Sequence, residues 1–185
     1  MKMLKSALLA VTMASCALTA PAQMKDNPTV GGAPMYASKT IVANAMNSPI
    51  HKTLVAAVKA AGLVDTLNSA GPFTVFAPTD AAFDKLPAGT VANLVKPENK
   101  ATLTKILTYH VVAGKITSKE LAKWIKKNGG KYEMKTVEGG KLTATMHGNN
   151  IMLTDEKGGM ATITTADVMQ SNGVIHVIDT VLMPQ

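Results

Sequence analysis

Residues 71–83 read GPFTVFAPTDAAF. Gly71-Pro72 is a turn signal, and Phe73-Thr74-Val75-Phe76 reads as a half-buried strand. Ala77-Pro78 ends it. Thr79 stands where a helix N-cap belongs, with Asp80 in the first turn and Ala81, Ala82 and Phe83 behind it. An apolar strand that passes at once into a capped helix fixes two elements relative to each other.

Upstream, Ser48-Pro49 predicts a helix start, with proline at the first helical position. Ile50, Leu54, Val58 and Ala61 then recur at helical spacing, and Gly62 closes the segment. His51 falls at the start of this helix and is expected on the surface. Leu63-Val64 and Leu67 form a second short helical turn. Residues 23–38 are rich in Gly, Pro and Asn and read as a flexible leader.

Downstream, Thr90 caps a short helix to Val95, and Pro97 starts another whose face carries Leu103, Ile106, Leu107 and His110. Val111-Val112 is a strand closed by Gly114. Thr117 and Glu120 make a capping box for a helix carrying Leu121, Trp124 and Ile125. From Lys131 the period changes to two. Strands are expected over 132–137, 142–146, 151–154, 161–166 and 174–177, with glycine-rich turns between them. Helices fill the first half and antiparallel strands the second, an α+β layout.

The N-terminus reads as a signal segment, residues 1–22. Lys2 and Lys5 precede the apolar run Ala7–Ala14, and Ala20-Pro21-Ala22 suits cleavage after Ala22. Met13-Ala14-Ser15 before Cys16 also loosely matches a lipoprotein box, so lipidation of Cys16 stands as a second reading. The apolar run is too short to cross a bilayer as a helix. Cys16 is the one cysteine, so no disulfide is expected in the exported domain, which must be held by its core. All 19 basic residues are lysines; without Lys2 and Lys5, 17 face 12 acidic residues, a net +5. Dispersed lysines without arginine argue against nucleic acid as the partner. Lys123, Lys126 and Lys127 cluster on what reads as a solvated helix face.

His110 and His176 lie in apolar stretches and read as core histidines bonded to a backbone carbonyl or a carboxylate. Asp80 is the natural partner, capping a helix or bonding a histidine. Met146-His147 and Met152 could hold Cu(I) but alternate as core filler does. The serines fall in caps and turns, and no G-x-S-x-G elbow is present. Asp155-Glu156 reads as a solvated turn. No catalytic residue, metal site or cofactor is expected.

Three stretches resemble the fasciclin family, whose module is the FAS1 domain. Thr74–Phe83 is similar to its first homology box, Tyr109-His110-Val111-Val112 to its Tyr-His motif, and Asn172–Asp179 to its second box. The resemblance extends over a domain at 39–185 of the single-domain, exported bacterial type. It implies a β-sandwich or wedge of about seven strands with helices packed at one side. It also implies a non-enzymatic role in cell adhesion or surface and matrix association, with a protein or polysaccharide partner. Two adhesion sites follow from the resemblance. One is Asp167-Val168, matching an Asp-Ile pair just before the second box; the other is Tyr109-His110. The alternative function is a periplasmic module for a small ligand or metal, which would need a concave apolar pocket with a few converging polar groups.

Overall fold

The computed structural model describes residues 27–185. The expected signal segment, with Cys16, lies outside the described residues. Thr40 caps α1 (Ile41–Asn47), accepting the Ala43 N–H at 3.3 Å. Ser48 ends it, and α2 (Lys52–Ala61) begins at Lys52 rather than at Pro49. The helix expected from Pro49 thus starts at Lys52, and α1 before it was not expected. Gly62 closes α2 at φ 73°, a left-handed conformation that favours glycine. Next come α3 (Val64–Asn68), β1 (Phe73–Pro78), α4 (Asp80–Asp84), α5 (Thr90–Leu94) and α6 (Lys100–Tyr109). The chain continues through β2 (Val111–Ala113), α7 (Ser118–Lys127), β3 (Lys131–Lys135) and β4 (Lys141–His147). It closes with β5 (Asn150–Thr154), β6 (Met160–Gln170) and β7 (Gly173–Ile178).

The seven strands form one sheet in the order β2-β1-β7-β6-β5-β4-β3. β1 and β7 run parallel, and every other neighbouring pair is antiparallel. The sheet curls until its ends nearly meet. Val112 bridges Thr136, and the Val137 N–H donates to the Val111 carbonyl at 2.7 Å. This is an α+β, seven-stranded architecture with helices on one side, as the resemblance implies.

β1 is buried on both faces, not on one. Val75 and Ala77 point to a cluster roofed by α1, α2 and α6, while Phe76 points into the curl of the sheet. β7 does the same: Ile175 and Val177 face the helices, Ile178 the interior. Helices cover the outer face of these two strands, so both faces must be apolar. Inside the curl, Leu142, Leu153 and Ile178 pack against Leu121 and Ile125 of α7, which closes that core.

Residues 27–38 are packed, contrary to the flexible leader expected. Val30 and Met35 are buried in the helix-side core. The Asn27 side chain donates to the Met169 carbonyl at 2.6 Å and accepts its N–H at 2.9 Å. Buried Asn44 makes the same reciprocal pair with the Tyr36 backbone, and its amide also reaches Gln170. These side chains supply the partners that an irregular backbone needs when it is covered.

Candidate functional site

His110 follows α6 and is buried. Its Nδ1 lies 2.8 Å from the Ile106 carbonyl, which can only accept, so Nδ1 carries the proton. Nε2 then accepts the Leu182 N–H at 3.0 Å. Burial pushes the imidazole down to about 4, against weaker opposing effects of the Ile106 carbonyl and Asp155. His176 has the opposite tautomer. Nε2 donates to the Ile116 carbonyl at 2.8 Å, and Nδ1 accepts the Asp167 N–H at 3.3 Å. Burial lowers its proton affinity too. Both rings are neutral struts with both nitrogens engaged.

Asp80 bonds neither of these histidines. Its carboxylate accepts the N–H groups of Thr53 at 2.8 Å and Lys52 at 3.3 Å, so the first residue of α4 caps α2. His51, expected on the surface, is buried against Ser48, whose Oγ lies 2.8 Å from Nδ1. Its Nε2 has no partner. Burial lowers its proton affinity, partly offset by the Ala77 carbonyl and by Asp80. The Ser48–His51 pair was not foreseen, because the α1 turn that buries it was not. Asp155 is also buried, not solvated, and accepts N–H groups from Lys157, Gly159 and Met183.

The positions implied for adhesion are largely inside. Tyr109 and Val168 are 0% exposed and His110 is 2% exposed. The Tyr109 hydroxyl donates to the Lys141 carbonyl at 2.6 Å and accepts the Glu156 N–H at 3.2 Å. Asp167 is not in a loop. It lies within β6 at an irregularity of the β6–β7 register, with φ 58°. Its carboxylate accepts the Ser118 N–H at 2.7 Å and the Ser118 hydroxyl at 2.5 Å. Tyr109, His110 and Val168 are thus covered in this fold, and the half-buried Asp167 carboxylate is bonded to the start of α7.

Two other features remain open to solvent. The first is the outer face of α7, where Lys119, Lys123, Lys126 and Lys127 are exposed while Leu121 and Ile125 are buried. The helix is fixed by the full Thr117–Glu120 capping box. Among the described residues the ion pairs are Lys85–Asp179, Lys96–Glu98, Lys105–Glu138 and Lys141–Glu133, so the α7 lysines are unpaired. Trp124 and Tyr132 pack at 5.0 Å beside this face, half-buried. The cluster Lys123, Lys126 and Lys127 was legible in the sequence.

The second is an apolar groove between α2, α3, α6 and the β1–β2 edge. It encloses about 60 Å³ and opens to solvent. No single sequence stretch encodes it, because its walls come from seven elements, α1 and β7 included. Met146 and Met152 do not face each other across β4 and β5: Met146 pairs with Ile151 and Met152 with Thr145. No group of three or more His, Cys, Asp or Glu side chains suits a metal among the described residues. No helix among them is long and apolar enough to cross a membrane.

Comparison with known proteins places these features in context. A family model described as "Fasciclin domain" matches residues 49–184. Protein sll1483 of Synechocystis sp. is 45% identical over 175 residues, covering 95% of this chain and 90% of the relative. Cell surface glycolipoprotein MPB83 of Mycobacterium bovis is 37% identical over 164 residues, covering 85% of this chain and 67% of the relative. Among solved structures, a FAS1 domain pair from the insect cell adhesion molecule fasciclin I superposes with a TM-score of 0.54 at 24% identity. That match covers 71% of this chain and 44% of the other, and it speaks to the fold.

Proposed function

The chain belongs to the fasciclin family, and from that premise we propose an exported, surface-associated protein that acts by contact with an anionic polysaccharide or protein of the matrix. Fasciclin-domain proteins are in general non-enzymatic adhesion or surface proteins. A relative named as a cell surface glycolipoprotein supports the location. The observation that carries the contact reading is the α7 face, with four exposed lysines, unpaired among the described residues, on a helix anchored through Leu121 and Ile125. Such a face attracts acidic polymers in a salt-dependent way. One small face binds modestly, so many copies on a surface would act together. The Trp124–Tyr132 pair beside it offers an apolar surface to sugar rings.

The test is attachment of intact cells to an immobilised acidic polysaccharide, with the gene present, deleted, or carrying Lys123→Glu with Lys127→Glu. Both lysines are exposed, so the double variant should fold and be exported. Weak attachment in both altered strains, restored to wild type only by the native gene, is the expected result. Loss in the deletion alone would move the contact off α7. Attachment unchanged in all strains would overturn the contact reading.

A further inference from the structure

We propose that the groove between α2, α3, α6 and the β1–β2 edge binds a fatty acid anion, its methyl end enclosed and its carboxylate on Lys59. The floor is made by Leu54 and Val58 of α2, Leu67 of α3, Val75 of β1 and Leu107 of α6, all buried. The rim continues the apolar lining outward. Val55, Leu63, Val64 and Phe73 are only half-buried, and Val137 is 47% exposed. Apolar side chains left in a strip between a covered floor and solvent mark a place that gains by being covered.

The polarity of the walls selects the ligand. His110 reaches the groove, but both of its nitrogens are bonded inside the protein. Thr108 also lines it, and its hydroxyl donates to the Thr104 carbonyl at 2.8 Å. No converging set of polar groups is left to orient a sugar, nucleotide or amino acid. The size selects further. About 60 Å³ is room for roughly two waters, well under the roughly 150 Å³ that a benzene-sized group occupies in an apolar cavity. The end of an unbranched chain fits it, and the rest of the chain lies along the open strip.

The charge at the mouth selects the headgroup. Lys59 is the one charged residue lining the groove; it is exposed and unpaired among the described residues. A Cβ placed on Gly62, one turn further, would meet Lys100 Nζ at 3.4 Å, so a second ammonium stands close to Lys59's end of α2. An apolar slot with cations at its rim is complementary to a carboxylate on a hydrocarbon tail. The groove is separate from the α7 face and does not depend on it.

Isothermal titration of the purified, delipidated protein with dodecanoate, dodecanol and hexanoate tests this. The expected result is one dodecanoate per chain, with dodecanol about tenfold weaker and hexanoate too weak to measure. Lys59→Glu should weaken dodecanoate about tenfold or more and leave dodecanol unchanged. Val58→Phe should remove binding of both long-chain probes by filling the floor. Leu63→Asp serves beside it: Leu63 is only half-buried at the start of α3, so this variant, checked for an unchanged circular dichroism spectrum, sets a negative charge in the strip. It should abolish dodecanoate binding. Absence of dodecanoate binding to the wild type, several molecules per chain, or binding indifferent to Leu63→Asp would each overturn the proposal.

Discussion

Asp167, at φ 58° within β6, holds the first residue of α7 by accepting both the Ser118 amide and the Ser118 hydroxyl. The backbone N–H of the same aspartate donates to His176 Nδ1. One residue thus links a helix start, a strand irregularity and a buried imidazole. Alanine loses both acceptors and fits the left-handed conformation poorly, so Asp167→Ala should cost about 2–3 kcal/mol. Asp167→Asn keeps one acceptor and tolerates this φ, so it should cost less. Urea unfolding of the two variants gives the order. Equal stability of Asp167→Ala and wild type would mean that the cap contributes nothing.

Acid should weaken the fold through its buried histidines. His110 sits at about 4 because burial disfavours its charged form; His51 and His176 are lowered for the same reason. The unfolded chain therefore binds more protons than the folded one as pH falls below the ordinary histidine value of about 6.5. The stability contributed by neutral His110 is complete above that pH, declines through the interval, and levels off below about 4. Protonating Nε2 would also set an N–H against the Leu182 N–H. At about 1.4 kcal/mol per pH unit, His110 alone should account for on the order of 3 kcal/mol between pH 7 and pH 4. Unfolding free energies at pH 7.5, 6, 5 and 4 should fall along this course, and His110→Gln should flatten it. A constant value across the series would mean that His110 takes up its proton in the fold as readily as in the unfolded chain.

What the sequence made legible was local. The Thr117–Glu120 capping box, the Thr79 cap and the period-two strands after Lys131 each depend on residues a few positions apart, and each forms. What it concealed was decided at a distance. The strand expected to end at Ala166 runs on through Asp167 to Gln170, and the side chain that Asp167 bonds there, Ser118, is 49 positions away. Asp80 looks like a helix-start residue for its own helix; that it also caps α2 depends on a pairing across 27 positions. His51 looks exposed until α1 is recognised, and α1 offers only a short apolar face, Ile41 and Val42. The groove has no linear signature at all.

Tyr109 ties α6 to the far edge of the sheet. Its hydroxyl bonds the Lys141 carbonyl at the start of β4 and the Glu156 amide beyond β5. Burial pushes its ionisation up to about 12. Ultraviolet titration of the three tyrosines should show a late step near pH 12 that Tyr109→Phe removes. The same change leaves a carbonyl and an amide without this partner, at a cost of about 1–2 kcal/mol. If Tyr109→Phe left the late step in place, Tyr109 would be open to solvent and available to a partner after all.

The segment before α1 should behave as part of the domain. Val30 and Met35 fill positions in the helix-side core, and each such side chain contributes roughly 1.5–3 kcal/mol on burial. Starting the chain at Lys39 would open those positions and leave buried Asn44 without its Tyr36 partners. The shortened protein should lose about 3–5 kcal/mol. Asn44→Ala in the full chain separates the two causes, since it removes the clamp on Tyr36 but keeps Val30 and Met35 present. Asn44→Ala should be milder than the truncation and should speed proteolysis within residues 27–38. A truncated chain that melts with the intact one would show that Val30 and Met35 add no stability, and the domain would then begin at residue 39.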